Sequence, residues 1–254
     1  MSPSLFVSDL HIASAEDPKA KLLLELLGRA QKQNVKNLFL VGDIFDLWIA
    51  DRKYFVETYQ AVIDRIRALV QSGTHVYYFE GNHDLDLNKF WGEDVGVQVC
   101  ESARYFDLDG KKVRVEHGDQ MDPEDRGYLF LRWLLRTPVM RALGRNLPDA
   151  TVKWIGSRAS RASRDYTSQV KVSSEERTEK IFLEHAQRAY REQPYDYLIS
   201  GHVHVVMDLV VPTENGSKAR ALNLGTWLKE PMLLELSAAG VKFLKVSDWM
   251  GQHG

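Results

Sequence analysis

Short apolar runs recur along the chain and stop at polar residues: Leu5-Phe6-Val7, Leu38-Phe39-Leu40-Val41, Val76-Tyr77-Tyr78-Phe79, Val113-Arg114-Val115 and Tyr197-Leu198-Ile199. Their length and their β-branched and aromatic content predict buried strands. Helical periodicity fills the gaps between the first three. Residues 19–32 carry leucines at 22, 23, 26 and 27 with charges opposite, the pattern of an amphipathic helix covering a sheet. Residues 54–71 set Val62, Ile66, Leu69 and Val70 on one face, and Gly73 closes that helix. Strand and helix in alternation predict parallel pairing. From residue 205 the period changes. Runs at 205–211, 219–224, 232–236 and 241–246 are separated by Pro, Gly and Asn turn signals without helices. They predict antiparallel pairing in a second sheet. Pattern alone therefore predicts an α/β chain with an antiparallel tail.

Residues 122–173 interrupt this scheme. Tyr128, Leu131, Leu134 and Leu135 line one side of a helix, Pro138 breaks it, and 139–143 begins another. Between 126 and 171 stand Arg126, Arg132, Arg136, Arg141, Arg145, Lys153, Arg158, Arg161, Arg164 and Lys171, against Asp149 and Asp165 as the only acids. Such a local excess points to an anionic contact, the plainer alternative being a helical hairpin with solvated arginines. Ser173 with Glu176 has the form of a capping box opening a helix that runs to about 192.

Lys and Arg total 33 against 35 Asp and Glu in 254 residues, so bulk charge names no partner. The single cysteine, Cys100, excludes an internal disulfide framework and fits a reducing cytosol. The N-terminus offers no basic segment, and Asp9 interrupts its apolar stretch before a signal-peptide core forms. No run approaches the roughly 18 apolar residues of a spanning helix. A soluble or peripheral protein is expected, organised as one domain over 1–254 with the 122–173 insert inside it.

The chemistry lies where the apolar runs stop. Five of the eight histidines sit beside carboxylates or an asparagine in the blocks Ser8-Asp9-Leu10-His11, Gly42-Asp43-Ile44-Phe45-Asp46, Gly81-Asn82-His83-Asp84, His117-Gly118-Asp119 and Gly201-His202-Val203-His204. Imidazoles mixed with carboxylates suit two divalent ions of the Mn, Fe, Zn or Co type, not a thiolate cage. Open α/β sheets gather ligands at the carboxyl ends of their strands, so these blocks are expected to converge on one crevice. The reading is a dinuclear hydrolase.

The ordered set D-x-H, G-D-x-x-D, G-N-H-D, H-G-D and G-H-x-H, from Asp9 to His204, resembles the calcineurin-like metallophosphoesterase superfamily. Within it, Gly42-Asp43-Ile44-Phe45-Asp46-Leu47-Trp48-Ile49, the basic helical insert after His117-Gly118-Asp119, and Leu224-Gly225-Thr226-Trp227 resemble the UDP-2,3-diacylglucosamine pyrophosphatases of lipid A synthesis. The resemblance implies a four-layer αββα sandwich of two mixed sheets with a helical lid. It implies that Asp9, His11, Asp43 and His204 hold one metal and Asp43, Asn82, His117 and His202 a second, with Asp43 bridging. Manganese is the expected ion, and a water activated between the two metals the expected nucleophile. His83 would contact the phosphoryl group. Asp46, Asp84 and Asp119 would orient the ligands.

The pyrophosphatases usually carry Arg in place of His83, which weakens transfer of their exact substrate. For substrate binding the resemblance points to Asn82 and His83, and to Ser160, Arg161 and Arg164 as the gripping segment. Arg132 and Trp133, with Tyr128, Phe130 and Trp154, would form a lid face toward acyl chains and anionic headgroups. The expected reaction is hydrolysis of a lipid-linked UDP to UMP and 2,3-diacylglucosamine 1-phosphate. Expected with it are a cytoplasmic place, a peripheral contact with the anionic inner face of the cytoplasmic membrane, no nucleic acid and no obligate protein partner. The alternatives are a phosphoesterase acting on another nucleotide, a nucleic acid or a phosphoprotein, and, more remotely, a non-catalytic scaffold.

Overall fold

A computed structural model describes residues 3–148, 151, 175–213, 216 and 218–251. The first sheet is built from the predicted βαβ units. Strands β1 (Ser4–Val7), β2 (Asn37–Leu40), β4 (His75–Phe79) and β6 (Gln98–Cys100) pair parallel in that order, while the short β3 (Trp48–Ile49) and β5 (Asp84–Leu85) pair parallel with each other apart from it. Helix α1 (Pro18–Lys32) begins at Asp17, whose side chain accepts from Lys19 N, and it buries Ala20, Leu23, Leu26, Leu27 and Ala30. That is the face its sequence period marked out, and burial of such a stripe supplies most of a helix's stability.

The predicted helix at 54–71 is two helices, α2 (Lys53–Thr58) and α3 (Gln60–Gln71). The chain breaks at Tyr59 (φ −109°, ψ 19°). Tyr59 hydroxyl donates to Ile12 O at 3.0 Å and its ring packs on Phe45 at 4.2 Å. This long-range anchor outweighs local helix preference.

The second sheet runs β10 (Val206–Val211), β11 (Ala219–Leu224), β9 (Tyr197–Ser200), β8 (Lys111–Val115), β7 (Arg104–Leu108). The antiparallel tail expected here divides between the sheets. β10 and β11 pair antiparallel, but β11 pairs β9 in parallel. β12 (Met232–Ser237) and β13 (Gly240–Lys245) return to the first sheet, with β12 antiparallel to β1. The reason is burial on both faces. Leu233 joins the core under the outer helices, whereas Leu234 and Leu236 join the core between the sheets. A hairpin pattern fixes which strands pair with each other and not which sheet receives them.

Phe6, Phe39, Phe79, Val113, Val115, Ile199 and Leu222 fill the space between the sheets. Helix α6 (Glu175–Glu192, numbered after the insert helices) covers the second sheet through Phe182, Ala186 and Ala189. With α1 and α3 outside the first sheet, the layers are helix, sheet, sheet, helix, as the resemblance implied.

Within the insert, α4 (Arg126–Leu135) is capped by Asp125 and α5 (Pro138–Asn146) by Thr137. Pro138 thus opens a helix as well as ending one. Ser160, Arg161 and Arg164, with Trp154 and the capping residue Ser173, lie outside the described residues. No described helix is long and apolar enough to cross a membrane.

Candidate metal centre

β1, β2, β4, β8 and β9 each end in one of the five polar blocks, and the first two blocks stay zipped together beyond the strands. Asp9 N donates to Gly42 O at 3.1 Å, His11 N to Asp43 O at 3.0 Å and Ile12 N to Ile44 O at 3.0 Å. Along this ladder and in the last block the backbone turns left-handed: φ is 53° at Asp9, 47° at His11, 54° at Asp43, 72° at His202 and 59° at His204. Such turns cost about 1 kcal/mol or more apiece outside glycine, and they cluster where surrounding structure holds side chains on a target.

The glycines serve a second purpose besides turning. A Cβ on Gly42 would stand 2.2 Å from His117 Nδ1, on Gly81 2.0 Å from Asp43 Oδ1, and on Gly201 2.3 Å from Asp9 Oδ2. These three blocks thus present bare backbone against a polar side chain of another block.

The predicted ligands meet as two groups. His204 Nε2 lies 3.0 Å and His11 Nε2 3.9 Å from Asp9 Oδ1, and the two nitrogens are 3.2 Å apart. Asn82 Oδ1 lies 3.2 Å from His117 Nε2 and 3.1 Å from His202 Nδ1. Asp43 stands between, with Oδ2 3.5 Å from His117 Nε2 and Oδ1 accepting from His83 N at 2.9 Å. Asp9, Asp43 and His117 also have ligand atoms close enough to share one ion, as do His11, Asp46 and His83.

Burial and neighbouring charge move Asp9, His11, His117 and His202 away from their usual ranges. Burial opposes charge on His117, but the neighbouring Asp43 carboxylate outweighs it and holds the pKa at about 10. Burial pushes His11 and His202 down to about 4. Asp9 is lowered to about 2, its burial overcome by the hydrogen bond and charge of His204. Asp84, fully buried, is pushed well above the carboxylate range by desolvation and by Asp43.

The donor set fits divalent cations. Asp9 Oδ1 is buried and meets only the imidazole nitrogens of His204 and His11, a crowding of ligand atoms that a cation at the carboxylate relieves directly. Supporting contacts surround them. Ser8 hydroxyl reaches Asp9 Oδ2 and Val41 O, and His117 Nδ1 donates to Val41 O at 2.9 Å, which turns Nε2 toward Asn82 and Asp43. Thr226 hydroxyl and Trp227 N donate to Asp9 O at 2.9 and 3.1 Å. Ser8 and Thr226 carried no periodic or motif signal of their own in this role.

His83 is 5% exposed, and its Nδ1 donates to Asp46 O at 2.8 Å, leaving Nε2 as the remaining ring nitrogen. Asp84 Oδ2 accepts from Ile44 N at 3.1 Å, so it braces the second block.

The insert meets the centre through Asp119, which accepts from Tyr128 hydroxyl at 2.7 Å and Arg132 Nε at 2.6 Å. The Tyr128 ring lies 6.2 Å from that of His202. Arg132 was expected to face headgroups; it is instead neutralised by Asp119, in a pair 11% and 4% exposed. Arg136, just past α4, and Arg141 and Arg145 of α5 are paired in the same way. Arg136 pairs with Glu80 at 3.5 Å, Arg141 grips Glu101 through two bonds of 3.0 and 2.6 Å, and Arg145 grips Asp86 at 2.6 and 2.7 Å. Glu80, Asp86 and Glu101 lie well before the insert in sequence, and Asp119 just ahead of it. Trp133 does project outward, 62% exposed beside Phe130 at 61%.

The family profile for calcineurin-like phosphoesterases matches residues 2–206. The chain belongs to the calcineurin-like phosphoesterase family. This membership implies divalent metal ions at a centre whose described residues can hold them. The UDP-2,3-diacylglucosamine hydrolase of Pseudomonas putida (strain W619) is 30% identical over 239 residues, 93% of this chain and 95% of that one. A protein of the same name from Pseudomonas aeruginosa (strain UCBPP-PA14) is 28% identical over 237 residues with the same coverage. A solved dimetal phosphatase from Danio rerio aligns over 96% of this chain and 99% of that one at 10% identity, with a TM-score of 0.45.

Proposed function

We propose that this phosphoesterase hydrolyses the pyrophosphate bond of UDP-2,3-diacylglucosamine, giving UMP and 2,3-diacylglucosamine 1-phosphate. One observation carries the reading: the similarity to hydrolases of that name runs over 93% of the chain, and so takes in the basic, aromatic insert along with the metal ligands. The whole of 1–254 would act as one domain with 122–173 as its lid.

Asp9, His11, Asp43 and His204 would hold one ion and Asp43, Asn82, His117 and His202 the other, manganese by preference. Two such ions supply Lewis acidity toward phosphoryl oxygens and lower the pKa of a bound water. Asp43 suits the bridging place because it alone stands between the groups as a buried carboxylate. Asn82 Oδ1, already shared between His117 and His202, keeps those rings turned to a common point. His83, its Nδ1 fixed by Asp46 O, presents Nε2 to the phosphoryl group or leaving oxygen and can hold a proton there. Asp46, Asp84 and Asp119 orient these groups.

The exposed apolar residues of the insert, Phe130, Leu131, Trp133 and Val139, offer a surface for acyl chains and for the face of an anionic membrane. Ser160, Arg161 and Arg164 would grip the substrate. With Arg132 already paired, its part is to hold the lid against Asp119 rather than to meet headgroups.

Incubating manganese-loaded protein with UDP-2,3-diacylglucosamine and measuring UMP tests the proposal. Steady release of UMP supports it. No UMP, with good turnover of a simple phosphodiester, would favour the second reading, a phosphoesterase for another nucleotide or phosphorylated substrate, which His83 in place of the pyrophosphatases' usual arginine motivates.

A further inference from the structure

Beside the metal centre, where β6 passes toward β7, lies a cavity of about 260 Å³ that shares His117, Gly118 and Asp119 with it. None of the ligand roles uses the rest of its wall. Small-molecule sites usually run from roughly 300 to 1,000 Å³, so this one suits a compact group and not a pair of acyl chains.

Its polar wall is built and neutral. Glu116, 7% exposed, accepts from Arg114 Nε at 2.8 Å and pairs with Arg114 Nη2 at 2.7 Å through one oxygen, and meets His185 Nε2 through the other. Arg114 also donates to Tyr105 hydroxyl at 3.0 Å. Arg132, on the opposite wall, is neutralised by Asp119. No uncompensated charge faces the cavity from these pairs, so they favour a neutral hydrogen-bonding ligand over a second phosphate.

His185 supplies the direction. A carboxylate accepts only, so Nε2 carries the hydrogen toward Glu116, and Nδ1 is left as the ring's second hydrogen-bonding atom. Nδ1 makes no hydrogen bond to any described residue, although the ring is part of the cavity wall. Nδ1 suits a ligand group such as a ribose hydroxyl, which donates to a bare ring nitrogen and accepts from a protonated one. Phe79, Cys100 and Met121 give the apolar remainder of the wall against which a flat ring lies.

We propose that this cavity is a nucleoside subsite: it takes the base and ribose of a nucleotide whose phosphate is held at the metal centre, and His185 is its specificity residue. The inference rests on the nucleotide-linked substrate proposed above and adds where the nucleoside half lies, on the side of α6 and away from the exposed apolar face of the insert.

Binding of UMP and of inorganic phosphate to manganese-loaded protein, measured by calorimetry, tests it. Wild type is expected to bind UMP at least tenfold more tightly than phosphate. His185→Ala should weaken UMP about tenfold, keep its manganese content and leave the phosphate affinity within twofold. Because His185→Ala also loosens Glu116, Ala103→Trp provides a second variant that fills the cavity from the β6–β7 loop with the Glu116 contacts intact, and it should act in the same way. If wild type shows no preference for UMP, or if Ala103→Trp retains it, the subsite is refuted. UMP release from the lipid nucleotide is read separately: release without UMP preference sinks the subsite alone, whereas His185-dependent UMP binding without release sinks only the substrate assignment.

Discussion

Arg132 Nε lies 2.6 Å from Asp119 Oδ2, so the insert is tied to the residue two places after His117, a proposed metal ligand. The pair is nearly fully buried, and removing one partner of such a pair costs about 3–5 kcal/mol because the other charge is left uncompensated. Arg132→Glu should therefore lower stability by several kcal/mol in denaturant melts and expose α4 to hydrogen exchange. Trp133→Glu, one residue along but 62% exposed, should leave the melt almost unchanged while reducing binding to anionic vesicles. Equal melts for the two variants would show that the Asp119 pair does not hold the insert.

Gly81 has an ordinary backbone angle, so alanine there meets no conformational penalty of its own. The added Cβ would nevertheless fall 2.0 Å from Asp43 Oδ1, and Asp43 must move. A displacement of about 1 Å at a positioned catalytic group costs on the order of 10²-fold in rate. Gly81→Ala is expected to lose that much and to bind less manganese by elemental analysis. Gly73→Ala, at φ 95° with nothing within 4 Å, should cost about 1 kcal/mol of stability and no metal.

His83→Ala removes a side chain that holds no place in either of the two proposed ligand sets. Metal content should be retained while kcat falls by about 10²–10⁴-fold, the range of a positioned acid or base. Full activity in this variant would remove His83 from the mechanism. Loss of manganese would instead make the His11, Asp46 and His83 grouping a metal site.

Acid should weaken the insert's grip in a defined direction. The hydrogen bonds from Arg141 are the largest influence on Glu101, lowering its pKa below the usual carboxylate value against a smaller effect of burial. A group whose folded pKa is depressed contributes stability above its unfolded pKa, and loses it as pH falls through the folded value. Wild type should be more stable than Glu101→Gln at pH 7, with the gap unchanged down to about pH 5 and closing below about pH 4. A gap that persists at pH 3, in paired denaturant melts, would show that the carboxylate charge is not its source.

The amino-acid sequence determined what is local or periodic. It marked the apolar runs that became β1, β2, β4, β8 and β9, the buried stripe of α1, and the polar blocks that stop those strands. Strand ends share one edge of a sheet, so the convergence of Asp9, Asp43 and Asn82 with His117 and His202 was readable without coordinates. Tertiary structure decided what depends on partners distant in the chain. β12 and β13 join the first sheet because Leu233, Leu234 and Leu236 are needed on two faces there, and Tyr59 breaks a helix because Ile12 and Phe45 receive it. The insert read as a surface of unbalanced positive charge, yet Arg132, Arg136, Arg141 and Arg145 are matched by Asp119, Glu80, Glu101 and Asp86 from other segments. Charge compensation acts through space and leaves no period in the sequence, which is why only the fold could reveal a clamp where the chain alone suggested a binding face.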